Sequence, residues 1–127
     1  MELKELVKEC HQTAKDKGFW DKERNFGEML MLVTSELGEC LEAHRKNKTA
    51  DLESFEYNTT IHDESKSLEN FKKEFENKIK DSWEDEICDT FIRLFDMCGG
   101  LNIDIEKHIE LKMQYNKTRE RLHGKQY

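Results

Sequence analysis

Two pairs of acidic residues, fifty positions apart, have the residue types and the spacing of a metal site. The first pair is Glu36 and Glu39, and the second is Glu86 and Asp89. Residues three positions apart lie on one face of an α-helix, so each pair places two carboxylates side by side. Converging carboxylates repel one another unless a cation lies between them, and oxygen ligands suit Mg²⁺ or Mn²⁺. The pattern predicts a site for a hard divalent cation.

The residues beside the two pairs also correspond at the same offset. Three apolar matches accompany the acids: Val33 with Trp83, Leu37 with Ile87, and Leu41 with Phe91. At about 3.6 residues per turn, each helix carries an apolar arc with its acids at the edge, so packing of the arcs would bring the acids together. The alternative is ordinary solvated surface in a chain of which 39% is charged. A di-iron site is disfavoured, because that chemistry uses Glu-x-x-His pairs.

A stripe of opposite charge lies near the C-terminus. Lys112, Asn116 and Arg119 have the spacing i, i+4, i+7 of one helix face, and Lys125 follows in the tail. Such a stripe could neutralise a polyphosphate, or it could be a solvated basic stripe near the negative end of a helix dipole. The sequence contains no glycine-rich phosphate loop, so a phosphate would be held by metal and side chains. Acids and bases together favour metal-assisted phosphoryl chemistry.

Two further residues precede the second predicted helix, and each has two interpretations. Trp20, next to Phe19, could stack on a nucleobase or could form an aromatic clamp between helices. Asn25 could bind the edge of a base or could cap the helix. Both residues are therefore candidates for the base side of a nucleotide site.

The elements that must position these residues are helices. Apolar periodicity predicts helices over 2–17, 25–46 and 81–98, a short amphipathic helix from the N-cap Ser67 to Ile79, and a last helix capped by Asn102 or Asp104 and stopping at Gly124. Gly18 and Gly99-Gly100 are typical of helix stops. Residues 47–66 are polar without a sustained period, and we expect a long loop there. No strand alternation occurs, so the prediction is an all-α bundle of four to five helices.

Composition limits the classes of protein. The 127 residues include no proline and no linker, which favours a single domain. The charged fraction is well above the usual ~25%, so we expect a thin core that a homodimer or homotetramer completes. The net charge of −7 disfavours binding to duplex nucleic acid.

The expected location is the cytoplasm. The N-terminus lacks the apolar region of a secretory signal, and no stretch approaches the ~18 apolar residues of a membrane span. The four cysteines are widely spaced within helical patterns, which favours reduced core thiols over disulfides or a zinc site.

The chain resembles the MazG-like all-α nucleoside triphosphate pyrophosphohydrolases, whose signature is Glu-x-x-Glu on one helix and Glu-x-x-Asp on the next long helix. The blocks that resemble the family are 35–43, 85–96, 112–119 and 123–125, which leave out residues 47–80. Residues 1–127 would then form one MazG-like domain with a polar loop and short helix, 47–80, as an insertion. The gap from Glu39 to Glu86 is longer than in compact members of the family.

The resemblance implies an activity and a role for each candidate residue. The reaction would be Mg²⁺-dependent hydrolysis of ribo- or deoxyribonucleoside triphosphates to the monophosphate and pyrophosphate, as in housecleaning of the nucleotide pool. The expected roles are metal binding by Glu36, Glu39, Glu86 and Asp89, catalysis by Glu39 and Glu86 with Glu39 as general base, phosphate contacts by Lys112, Asn116, Arg119 and Lys125, and base contacts by Trp20 and Asn25. Alternatives from other classes are a helical interaction module and a nucleotide-binding protein without turnover.

Overall fold

The computed structural model describes residues 1–60 and 67–127, and all regular elements in these ranges are helical. The elements are α1 (Leu3–Asp16), α2 (Phe26–Arg45), α3 (Leu52–Thr60), α4 (Ser67–Lys78), α5 (Trp83–Gly100), α6 (Ile105–Lys117) and a terminal 3₁₀ turn (Arg121–Gly124). The all-α prediction is confirmed, with six α-helices in the described ranges instead of four or five. In the same ranges no helix has the length and apolar character needed to cross a bilayer.

Two compact units can be distinguished. The first comprises residues 1–23 and 94–127, and the second comprises residues 24–93. Helix α5 contributes its N-terminal part to the second unit and its C-terminal part to the first.

In the first unit, two ring side chains share one buried carboxylate. The Nε1–H of Trp20 donates to Oδ1 of Asp96 at 2.8 Å, and Nδ1 of His11 lies 2.9 Å from the same oxygen. The His11 ring lies over Gly99 and the Trp20 ring over Gly100, so closely that a Cβ on either glycine would meet them at 2.6 and 2.2 Å. Helix α5 ends at this glycine pair, as predicted, although two residues later than expected. Neither glycine has the positive φ of a left-handed stop, and both provide room for the rings.

The ends of the other helices of this unit follow local chemistry in part. Gly18, at φ +87°, follows the end of α1 as predicted, and Asp104 caps α6 by accepting from the backbone N–H of Lys107 at 3.2 Å. The last helix does not reach Gly124, since α6 ends at Lys117. Beyond it, Leu122 and His123 have positive φ values near 55°, which no α-helix accommodates.

In the second unit, the structure corrects the predicted loop at 47–66. Residues 52–60 form α3, whose N-terminus is capped where Oδ1 of Asp51 accepts from the backbone N–H of Ser54 at 3.0 Å. Phe55 of α3 packs edge-on against Phe71 and Phe75 of α4, with ring centroids 5.4 and 6.3 Å apart. A helix of this length depends on tertiary packing for its stability. Its apolar residues therefore need not show the helical periodicity by which longer helices are predicted. Residues 61–66 of the predicted loop lie outside the described residues.

The buried face of α2 differs from the predicted one. Met29, Val33, Glu36 and Ala43 are buried, whereas Leu37 and Leu41 are each 53% exposed. We call the exposed side of α2 the leucine face, which comprises Phe26, Leu30, Leu37 and Leu41. The packing of α2 thus places Glu36 inside and leaves an apolar face outside, which reverses the expected arrangement. Phe91 of α5, which was also expected to lie on a packed apolar arc, is exposed as well.

Candidate metal centre

Three carboxylates of the second unit converge. Oxygen atoms of Glu36, Glu86 and Asp89 all lie within 4.8 Å of one another. Glu36 is only 6% exposed and Glu86 only 8%, whereas Asp89 is partly exposed. Two of the three acids are buried, so this group does not match the alternative that the acids are ordinary solvated surface.

The beginning of α5 positions two of these acids. The side-chain oxygen of Ser82 accepts from the backbone N–H of Asp85 at 3.2 Å, and the carboxylate of Asp85 accepts from the N–H of Asp81 at 2.9 Å. These two hydrogen bonds cap the first turn of α5. Glu86 and Asp89 then follow at i and i+3 on one side of the helix.

Contacts around Trp83 hold α5 against α2. The thiol of Cys40 donates to the carbonyl oxygen of Trp83 at 3.4 Å, and the rings of His44 and Trp83 meet edge to face at 6.0 Å. The backbone N–H of Trp83 donates to the carbonyl of Lys48 at 3.0 Å. These contacts join the C-terminal half of α2 to the first turn of α5, and Glu36 lies one turn before Cys40 on the same face of α2.

Arg93 is a member of the site that sequence reasoning missed. Its Nε–H donates to Oε1 of Glu36 at 2.5 Å, and its side chain is about one-third exposed. Arg93 follows Asp89 by four residues and Glu86 by seven, so one face of α5 carries both acids and their countercharge. That spacing was the sequence signal that could have identified it.

The environment divides the acids by charge state. Burial, followed by the charges of Glu39, Asp89 and Glu36, raises the pKa of Glu86 from its ordinary 4.5 to about 7. Burial also acts to raise the pKa of Glu36, but the hydrogen bonds from Arg93 and from neighbouring carboxyl groups outweigh it, and the pKa is lowered. Near neutral pH the site therefore holds one firmly ionised acid beside one that titrates.

The other two acids shift in the same direction as Glu86. A hydrogen bond with Glu36 and the charge of that residue raise the pKa of Glu39. Burial, followed by the charges of Asp85 and Glu36, raises the pKa of Asp89. The surroundings therefore disfavour the ionised form of three of the four acids. A bound cation would favour that form.

Glu39 lies beside the three convergent acids without joining them. It is exposed, and its oxygens are not among those within 4.8 Å, although it is close enough to Glu36 for a hydrogen bond to influence its pKa. Of the four predicted metal ligands, the structure therefore brings together Glu36, Glu86 and Asp89 and places Glu39 at their edge.

The predicted phosphate contacts lie in α6 and the segment after it. Nζ of Lys112 and the guanidinium of Arg119 lie 5.1 and 5.6 Å from the centre of the Tyr115 ring. Asn116 has a buried side-chain oxygen that accepts no hydrogen bond. Arg119 and Lys125 lie beyond the end of α6, so the predicted stripe on one helix holds only for Lys112 and Asn116.

The two residues predicted for the base side have contacts within the fold. The indole of Trp20 binds Asp96 and packs on Gly100, and the side chain of Asn25 caps α2 by accepting from the backbone N–H of Glu28 at 3.1 Å. For Asn25 the capping interpretation is thus the observed one.

Comparisons with known proteins give no match: no family model fits the chain, no curated protein is significantly similar to it, and no solved structure is significantly similar to its fold.

Proposed function

We propose that this protein is a Mg²⁺-dependent nucleoside triphosphate pyrophosphohydrolase of the MazG-like kind, acting on ribo- or deoxyribonucleotides. The observation that carries the proposal is the convergence of Glu36, Glu86 and Asp89, two of them buried, within 4.8 Å. Burying acids so close together destabilises the metal-free protein. A site of this kind is expected where a cation offsets that cost.

The donor set fits a hard divalent cation. Three carboxylates supply only oxygen ligands, and their spacing allows one ion to contact all three. Glu36, Glu86 and Asp89 would hold it, with Glu39 at the edge. When bound, Mg²⁺ or Mn²⁺ supplies charge neutralisation at the phosphates and lowers the pKa of water.

The side chains of the site have separate roles in the proposed reaction. Glu86, with a pKa of about 7, gives up its proton when it becomes a ligand. Glu39 is exposed and outside the three convergent acids, so its carboxylate is the one left to take a proton from the attacking water. Attack breaks the bond between the α and β phosphates, and the products are the monophosphate and pyrophosphate.

The remaining roles stay predictions of the sequence. They assign the phosphates to Lys112, Asn116, Arg119 and Lys125, the base side to Trp20 and Asn25, and the protein to the cytoplasm. The unpartnered side-chain oxygen of Asn116 is compatible with a ligand contact there.

The leucine face supports the proposal of a homo-oligomer. Its four apolar side chains project from one side of α2 and are each more than 40% exposed in the single chain. A contiguous apolar face of this kind commonly marks a protein interface. A second copy of the chain is the partner we propose, in a homodimer or homotetramer.

The leucine face also favours a second candidate function, a helical interaction module without catalysis. In that case Arg93 would be the lasting partner of Glu36, and the acids would need no metal. The two functions differ in one observable, because only the enzyme gains stability from Mg²⁺ through the three acids.

Pyrophosphate release is the deciding assay. It uses a panel of ribo- and deoxyribonucleoside triphosphates, with and without Mg²⁺, on the wild type and on Glu86→Gln. We expect Mg²⁺-dependent release that the variant lacks while its helicity is unchanged. Near-normal turnover by folded Glu86→Gln would refute the metal assignment, and silence of the wild type across the panel, with no stabilisation by Mg²⁺, would favour the interaction module.

A further inference from the structure

An apolar groove lies between α4 and α5 in the second unit. Its volume is about 800 Å³, which is within the range of small-molecule sites, about 300–1,000 Å³. Its apolar lining comprises Leu68, Phe71, Phe75, Ile79 and Ile92. Charged side chains also line it: Lys72, Glu76, Lys80, Asp81, Asp85 and Asp89. An apolar surface with charged groups around it is a composition found in ligand sites.

The groove is continuous with the candidate metal centre through one residue. Asp89 lines the groove and is also one of the three convergent acids. On α5, Asp85, Asp89 and Ile92 face the groove, whereas Glu86, Thr90 and Met97 are buried. Asp89 therefore lies where these two faces meet, so the acids and the groove share one side chain.

The opposite wall of the groove is formed by residues 47–80, the insertion that compact MazG-like proteins lack. Helix α4 lies within residues 47–80 and supplies Phe71 and Phe75, whose rings lie nearly parallel at 6.1 Å between centroids. Phe55 of α3 packs edge-on against both rings and holds them in place. Phe71 remains 49% exposed, so part of an anchored aromatic ring is available to a ligand.

We infer that this groove binds the base end of the nucleoside triphosphate whose phosphates the three acids engage through a metal. The inference rests on the proposed function and assigns the selection of the base to the α3–α4 segment, in place of Trp20 and Asn25, whose side chains have hydrogen-bond partners within the fold. A nucleobase has two apolar faces, which suit aromatic and aliphatic walls, and polar edges, which suit the lysines and carboxylates of the lining. Inorganic pyrophosphate has no such part and gains nothing from the groove.

Equilibrium binding separates the groove from the acids. Isothermal titration with Mg²⁺ present compares a set of nucleoside monophosphates with inorganic pyrophosphate, on the wild type and two groove variants. Ile92→Ser and Leu68→Ser each shorten an exposed groove residue and leave the core intact. Met31→Ser is the control, since Met31 is an exposed apolar residue outside the groove.

We expect Ile92→Ser to weaken the tightest-binding monophosphate about tenfold, which is about 1.4 kcal/mol, and to leave pyrophosphate binding unchanged. Leu68→Ser acts in the same direction, and Met31→Ser has no effect. Equal binding of monophosphates by all four proteins, or no binding of any monophosphate by the wild type, overturns the groove assignment. Equal weakening of both probes overturns it too, because the substitution would then act on the acids.

Two parallel measurements distinguish this failure from others. Turnover of triphosphates by the wild type tests the proposed hydrolysis independently. If Ile92→Ser selectively loses monophosphate binding but the wild type shows no turnover, the groove assignment stands and the hydrolase proposal is rejected. Light scattering tests a second copy of the chain as the occupant. A fall in oligomer mass caused by Ile92→Ser, with nucleotide binding unchanged, would overturn the inference and assign the groove to an interface.

Discussion

Glu86→Gln is expected to stabilise the metal-free protein strongly at pH 8 and by less than about 1 kcal/mol at pH 5. Glutamine keeps the volume of the side chain and can still donate a hydrogen bond, as the protonated acid does. At pH 5 the wild-type side chain is protonated, because its pKa is about 7, and the two side chains are then close equivalents. At pH 8 only the wild type carries an unfavourable buried charge.

The magnitude follows from the pKa. A rise from 4.5 to about 7 corresponds to about 3 kcal/mol, at about 1.4 kcal/mol per pH unit. Because the folded state holds the proton more tightly than the unfolded state, this stability is fully present below about pH 4.5 and is lost as the pH rises through about 7. The variant carries no titrating group at this position, so the difference between the two proteins should approach about 3 kcal/mol at pH 8.

Urea titrations at pH 5, 6, 7 and 8 in the presence of a chelator measure this difference as the free energy of unfolding. Glu69→Gln is the matched control, because Glu69 is an exposed acid in the first turn of α4. Its stability should follow that of the wild type at every pH. A Glu86→Gln protein that is less stable than the wild type at pH 8, or equally stable at both ends of the range, would refute the reasoning.

Adding Mg²⁺ tests whether Glu86 is a metal ligand. Protons and metal compete for Glu86, so the apparent affinity of the wild type for Mg²⁺ should fall about tenfold from pH 8 to pH 6. The variant should gain little stability from the metal at either pH. Equal stabilisation of both proteins by Mg²⁺ would place the cation elsewhere.

Three further substitutions test separate parts of the structure. Leu41→Lys puts a charge on the leucine face and should shift the protein to a monomer in light scattering, whereas an unchanged mass would exclude this face as the interface. Arg93→Ala leaves a buried carboxylate unpaired and should cost about 2 kcal/mol in metal-free urea titrations, with Mg²⁺ restoring more stability than in the wild type. Gly100→Ala would place a Cβ 2.2 Å from the Trp20 ring and should lower stability by about 2 kcal/mol, whereas Gly38→Ala, with open space around it, should be neutral or stabilising in the same thermal melts.

The features that were predictable from the sequence are those that neighbouring residues determine. Gly18 ends α1, and Asp104 caps α6 through the third residue beyond it, so each end depends on a few adjacent positions. Helix α3 was missed because Phe55 has its aromatic partners in α4, beyond the reach of a local pattern. The glycine pair ends α5 as predicted, but its second role, making room for the His11 and Trp20 rings, depends on residues far away in the sequence.

The candidate site shows the same division. The spacing of Glu86 and Asp89 follows from one helix, and their association with Glu36 was inferred correctly from the matching segments. The reason given for that association was wrong, because the acids do not lie at the rim of two packed apolar arcs. Helix α2 carries two stripes that share an edge, and periodicity alone does not say which one faces inward.

The burial of the α2 stripe that contains Glu36 has an energetic consequence that differs between the two candidate functions. An apolar residue at the position of Glu36 or Glu86 would fill a buried site without repulsion, so the acids lower the stability of the metal-free chain. Arg93 is hydrogen-bonded to Glu36 and its charge also acts to lower the pKa of Glu39 and of Asp89, but the pKa of Glu86 stays raised. A module that only binds partners through the leucine face has no use for this arrangement, because Glu36 is buried in the neighbouring stripe of α2 and is not part of that face. In a cation-dependent enzyme, the bound cation offsets the free-energy cost of burying the acids close together. The free energy of unfolding then reports whether the site is occupied.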